Sequence, residues 1–92
     1  MSRLIITRAH DLSFEDLCAE AEALAEKLRR QYGGSWRWEE DCLHYNYSGG
    51  VDAIVWVDED ELTIEVKLGM MMGMMRRPIE REINVYLDQH IG

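Results

Sequence analysis

The chain has 92 residues, which is enough for one domain with a modest core and too few for a second domain. Its formal net charge of −8 predicts repulsion from phosphate backbones and anionic lipid surfaces, so nucleic acid is not an expected partner. Two cysteines are too few for a disulfide framework, and no stretch approaches the ~20 consecutive apolar residues of a transmembrane helix. Because no leader pattern is present, we expect a single cytoplasmic domain over residues 1–92.

The first two predicted elements are a strand and a long helix. Leu4 and Ile6 alternate with polar neighbours between residues 2 and 8, which is typical of a strand. Ser13 suits a helix N-cap and Gly33 a C-terminal stop, so a helix is expected over residues 14–32. Apolar residues recur along it at spacings of three and four, and these should form one buried stripe: Phe14, Leu17, Cys18, Ala21, Leu24, Ala25 and Leu28.

Four further strands and a second helix are predicted after this. Between residues 35 and 68 the apolar period becomes two, and the separating turns at 39–41, 48–50 and 58–60 are short enough to join antiparallel neighbours. Pro78 suits the first turn of a last helix, whose apolar stripe is Ile79, Ile83, Tyr86, Leu87, His90 and Ile91. The expected fold is α+β in the order β-α-β-β-β-β-α, with a five-stranded antiparallel sheet and two helices on one face.

Residue types that carry catalysis or bind metals are not grouped in the sequence. His10, His44 and His90 are far apart, and no Cys or His has the short spacing of zinc ligands. Cys18 falls in the apolar stripe of the first helix, and Cys42 has no adjacent cation that would lower its pKa. We therefore expect no enzymatic activity, no metal and no cofactor.

The most unusual local feature is a methionine cluster followed by two arginines, Arg76 and Arg77. The cluster consists of Met70, Met71, Met72, Met74 and Met75. Thioether side chains are flexible and polarizable, and surfaces rich in them suit variable apolar partners. The cluster is therefore interpreted as a flexible apolar contact flanked by basic residues. The alternative is a partly buried connection that closes the end of the core.

Three tryptophans are more than so small a core requires. Alternation places Ile54 and Trp56 opposite the core-facing valines of their strand, where they could form a homodimer contact on the uncovered face of the sheet. The alternative is that Trp36 and Trp38 pack under a helix while Trp56 stacks on a cross-strand neighbour.

Short motifs are spread over nearly the whole chain: Ile6-x-Arg8-x-His10, Ser48-Gly-Gly-Val51-Asp52, Leu68-Gly69, and Pro78-Ile79-Glu80-Arg81-Glu82-Ile83 with Leu87-Asp88. In this order they resemble the polyhydroxyalkanoic acid system protein family, small proteins encoded near genes for bacterial polyester storage granules. The chain departs from the family's pattern at residues 70–75, where methionine stands in place of leucine or phenylalanine with a proline.

The resemblance implies a non-catalytic accessory role in polyhydroxyalkanoate accumulation, with the granule or a granule-associated protein as partner. Two other functions are compatible with the pattern of elements. One is a small carrier of hydrophobic ligands with a reduced helix-grip fold, and the other is a homodimeric scaffold unrelated to polyester.

Overall fold

The computed structural model describes residues 2–91, and its elements follow the predicted order. The strands and helices are β1 (Ser2–Ala9), α1 (Phe14–Tyr32), β2 (Ser35–Glu39), β3 (Cys42–Tyr47), β4 (Val51–Val57), β5 (Glu61–Leu68), a 3₁₀-helix (Met70–Met75) and α2 (Arg76–His90). The α+β prediction is confirmed. Among the regular elements of residues 2–91, the 3₁₀-helix is the one that the sequence pattern did not predict.

All five strands form one antiparallel sheet in the order β1-β5-β4-β3-β2. Strands β2 to β5 are a meander, and β1 closes the sheet by pairing with β5 from Ser2 opposite Leu68 to Ala9 opposite Glu61. One row across the sheet contains Leu4, Val66, Ala53 and Tyr45, and all four are buried. The period-two pattern therefore defines a single core face.

Both helices contribute to the core on this face. The buried residues of α1 are Leu17, Ala21, Leu24, Ala25 and Leu28, as the apolar stripe predicts. The Ser13 hydroxyl accepts a hydrogen bond from the Asp16 N–H at 3.1 Å, which caps the helix. Phe14 corrects the prediction, because it occupies the first helical position, one turn before Leu17, and is 51% exposed.

Helix α2 packs through Ile79, Ile83, Tyr86 and Leu87. Pro78 lies in its first turn, where the missing N–H has no intrahelical partner to lose. Neither helix combines the length and apolarity that a bilayer crossing requires, for the part of the chain that the structure describes.

Candidate functional site

The methionine cluster forms a regular 3₁₀-helix, called here the methionine helix. Such a helix has three residues per turn, so residues i and i+3 lie on the same side. Met72 and Met75 form one such pair, and both pack against the hydrophobic core. Met71 and Met74 form another pair, and they are 87% and 86% exposed. Two methionines therefore close the end of the core while the other side of the helix presents methionine to solvent.

Met70 is the third exposed methionine, with 83% of its surface accessible. It shares its side of the helix with Gly73, where an added Cβ would have no atom within 4 Å, so this side is open to solvent. Three large apolar side chains thus stand together at one end of the protein.

Two glycines hold the start of the methionine helix against the turn between β3 and β4. The Gly69 N–H donates to the Gly50 carbonyl at 2.8 Å, and the Met72 N–H donates to the Gly69 carbonyl at 3.0 Å. Gly50 has a φ of +117°, and a Cβ there would lie 3.2 Å from Cγ of Met72. Glycine is therefore favoured at position 50 both by its conformation and by close packing. Met72 thus lies against this turn on the side of the methionine helix that packs on the core.

Basic residues lie on either side of the exposed methionines. Arg76 and Arg77 begin α2 and are exposed, and the Arg76 N–H donates to the Gly73 carbonyl, so the two helices are continuous. Lys67 precedes the cluster near the end of β5 and is also exposed. Sequence reasoning did not select Lys67, because a lysine at an outward strand position carries no signal beyond solvation.

The second candidate surface is the face of the sheet that the helices leave uncovered. Ile54 is half-buried there and Trp56 is 38% exposed, as their alternation on β4 predicts. Ile5 on β1 is 56% exposed on the same face and was not selected from the sequence. The register places Glu65 between Ile5 and Ile54, and its side chain is only 14% exposed and lies 3.3 Å from the Arg3 guanidinium. The apolar residues of this face are therefore interrupted by a carboxylate.

Trp36 and Trp38 belong to the opposite face, where they pack against the core beside α1. The Trp36 indole N–H donates to Glu26 Oε1 at 3.0 Å, and the Trp38 indole N–H donates to Glu22 Oε2 at 2.5 Å. Hydrogen bonds from Arg29 and then from Trp36 hold the pKa of Glu26 at about 2. Trp36 and Trp38 therefore pack under a helix, as the alternative interpretation of the tryptophans predicts, and they join β2 to α1.

Neither the surroundings of the two cysteines nor the grouping of possible metal ligands favours chemistry. Burial raises the pKa of the Cys18 thiol, and carboxylates, Glu22 first, raise it further. The pKa of Cys42 is raised in the same way by burial and then by Asp41. Raised values disfavour the thiolate, which is the nucleophilic form. Within residues 2–91 no three His, Cys, Asp or Glu side chains are grouped so that they could hold a metal ion.

A family model described as "Putative polyhydroxyalkanoic acid system protein" matches residues 4–91. The chain belongs to this family. The match covers the motifs from Ile6 to Asp88 on which the resemblance rests and confirms it. No curated protein and no solved structure matches the chain.

Residues of the family motifs have structural roles in this chain. Arg8 joins the edge strand to α2 through Asp88 at 2.6 Å and Asn84 at 2.8 Å. His10 Nδ1 accepts from the Leu12 N–H at 3.1 Å, so Nε2 carries the proton that it donates to the Asp58 carbonyl at 2.7 Å. The Gly50–Gly69 contact involves motif residues in the same way at the other end of the sheet. The fold therefore explains why these motif residues are needed at both ends.

Proposed function

We propose that this protein is a non-catalytic accessory protein of polyhydroxyalkanoate accumulation. It binds the granule, or a protein on the granule, through Met70, Met71 and Met74. The observation that carries the proposal is the exposure of these three side chains, 83–87%, on a helix whose other methionines pack against the core. The chain belongs to a family whose description names the polyhydroxyalkanoic acid system, and this supplies the biological setting. Both cysteines are free thiols, which fits action in the cytoplasm.

The exposed cluster is large enough to supply a substantial part of the free energy of binding. Burial of one methionine side chain contributes about 1.5–3 kcal/mol, so three contribute roughly 4–9 kcal/mol before the cost of association. Micromolar binding corresponds to about 8 kcal/mol. The methionines can therefore supply much of the required free energy. The methionine helix lowers the ordering cost, because its backbone is already regular in the free protein.

A carrier of small hydrophobic ligands is less well supported. The space between sheet and helices is filled by side chains such as Leu17, Leu43 and Ile83, which have no exposed surface. A hollow of about 460 Å³ does lie on the uncovered face of the sheet, but its lining includes the polar side chains of Arg37, His44, Asn46, Asp52, Glu65 and Lys67. A site for an apolar ligand would be lined mainly by apolar side chains.

The test is co-sedimentation of purified protein with isolated granules. The triple variant Met70→Ser, Met71→Ser and Met74→Ser should lose at least about tenfold in affinity, since even partial burial of three methionines contributes more than ~1.4 kcal/mol. A matched control removes apolar surface elsewhere, at Phe14 and Val85, which are 51% and 44% exposed. The Phe14→Ser, Val85→Ser variant should bind like the wild type. A folded triple variant that still co-sediments normally would place the contact on another surface.

The non-catalytic part of the proposal has a separate test. Purified protein should show no hydrolysis of hydroxyacyl esters, because the pKa values of both cysteine thiols are raised and, within residues 2–91, no hydrogen bond joins either thiol to a histidine or a carboxylate that would activate it. Turnover that disappears on substitution of one cysteine or histidine would contradict this.

A further inference from the structure

The charged residues of the chain are separated between the two ends of the sheet. The pairings of Ser2 and Val51 with Leu68 define one end, and the pairing of Ala9 with Glu61 defines the other. The first, here the methionine end, comprises residues 2–3, 29–35, 46–52 and 67–78, and the second, the acidic end, comprises 8–16, 39–42 and 57–62. The methionine end carries six Lys or Arg and one acidic residue, Asp52, and the acidic end carries ten Asp or Glu and one basic residue, Arg8. A chain of net charge −8 therefore presents one basic end.

The two ends are far enough apart to act independently on a partner. Eight residues of β1 or β5, at ~3.3 Å per residue, extend about 26 Å. The Debye length at an ionic strength of 0.15 M is about 8 Å. A surface that touches the methionine end is therefore roughly three Debye lengths from the acidic end. It interacts mainly with the basic residues, so the repulsion predicted from the net charge does not apply at this end.

Three of the six cations at the methionine end have no ion pair within residues 2–91: Lys67, Arg76 and Arg77. The other three, Arg3, Arg29 and Arg30, pair with Glu65 or Glu26. The three unpaired cations are the ones that flank the exposed methionines in the chain. Asp52 lies across from Lys67 in the register, but its carboxylate accepts a hydrogen bond from the Asn46 amide.

The first turn of α2 offers Arg76 and Arg77 no local counter-charge. This turn contains no acidic residue. The Arg76 N–H is bonded to the Gly73 carbonyl, so both arginines directly follow the methionine helix on one continuous helical segment. An external anionic partner would supply the opposite charge.

We propose that the methionine end binds the anionic surface of a lipid-coated particle. Met70, Met71 and Met74 enter the apolar layer, Lys67, Arg76 and Arg77 lie at the level of the anionic headgroups, and the acidic end points away. The inference rests on the proposed granule-binding function and names the chemistry of the surface. Each basic residue near an anionic lipid surface contributes about fivefold in affinity, so three contribute on the order of 100-fold.

The experiment compares sedimentation with vesicles of phosphatidylglycerol mixed with phosphatidylcholine and with vesicles of phosphatidylcholine alone, at 0.15 M salt. The wild type should prefer the anionic vesicles on the order of 100-fold. The variant Lys67→Gln, Arg76→Gln, Arg77→Gln should lose this preference. The control variant Lys27→Gln, Arg37→Gln, Arg81→Gln has the same net charge but changes cations outside the methionine end, and it should keep the preference.

Each other result overturns the inference in a distinct way. Equal binding to both vesicle types would show that the contact is apolar only. Equal losses in the two glutamine variants would show that net charge matters and not its location. Binding to isolated granules without binding to either vesicle would identify a protein or the polyester as the target. If the triple methionine variant binds granules like the wild type and the wild type binds neither vesicle, the proposed function is contradicted as well.

Discussion

The division of the methionine helix into a buried and an exposed side predicts opposite outcomes for two sets of substitutions. Replacing a fully buried methionine by a small residue costs about 2–5 kcal/mol. Met72 and Met75 are half-buried against the core, so each change to serine should cost about half of that, and the double variant roughly 2–5 kcal/mol. In a domain of 92 residues each kcal/mol lowers Tm by about 4–8 °C, so a decrease of at least about 8 °C is expected.

The triple variant of Met70, Met71 and Met74 provides the comparison. These side chains are 83–87% exposed, and surface substitutions usually change the free energy of unfolding by less than about 0.5 kcal/mol. Three such changes cost less than about 1.5 kcal/mol together, so the Tm of the triple variant should fall less than that of the double variant. Thermal melts followed by circular dichroism measure both variants under the same conditions. Similar decreases in the two variants, or a larger decrease in the triple variant, would refute the assignment of the two sides.

Three further predictions concern the core, the uncovered face and the charge of Glu26. Leu24→Asp should abolish the folded far-UV circular dichroism spectrum, because Leu24 is 3% exposed and the buried carboxylate would have no partner. The control Ala23→Asp, on the exposed side of α1, should cost under about 1 kcal/mol. Equal stability of the two variants would contradict the burial of the Leu24 side of α1. Ile54→Lys with Trp56→Lys should convert a homodimer to monomers in sedimentation, and a monomeric wild type would exclude this contact. The pKa of Glu26 is lowered from 4.5 to about 2, so ionised Glu26 stabilises the fold above pH 4.5 and this stabilisation is lost as the pH falls toward 2. An NMR titration of Glu26 with a midpoint near 4.5 would disprove the lowered pKa.

Much of the architecture follows from the sequence, since each strand or helix buries one side and repeats its apolar residues with its own period. The spacing of Leu17, Leu24 and Leu28 determines the buried side of α1, and alternation in β4 determines that Trp56 lies opposite Val55 and Val57. Such patterns need no knowledge of neighbouring elements. Phe14 shows their limit, because its spacing fits the stripe but it is the first residue of α1 and is 51% exposed.

Contacts between distant segments could not be predicted in this way. Glu22 and Glu26 have the pattern of solvent-facing helix residues, and only the packing of β2 against α1 shows that they accept hydrogen bonds from Trp38 and Trp36. The assignment of Met72 to the core likewise depends on its contact with Gly50, which is 22 positions away in the chain.

The sequence by itself determined the order and type of the strands and long helices, because local periodicity reports which side of an element is buried. It also determined family membership through motifs that lie in those elements and in the turns between them. The tertiary structure alone decided which methionines face solvent and which ends of the sheet collect the charges. Both depend on register: antiparallel pairing places Lys67, the turn at Gly50 and the start of α2 at one end, and the runs at 39–41 and 58–61 at the other. Residues far apart in sequence form a common surface only after this pairing, so no local pattern contains it.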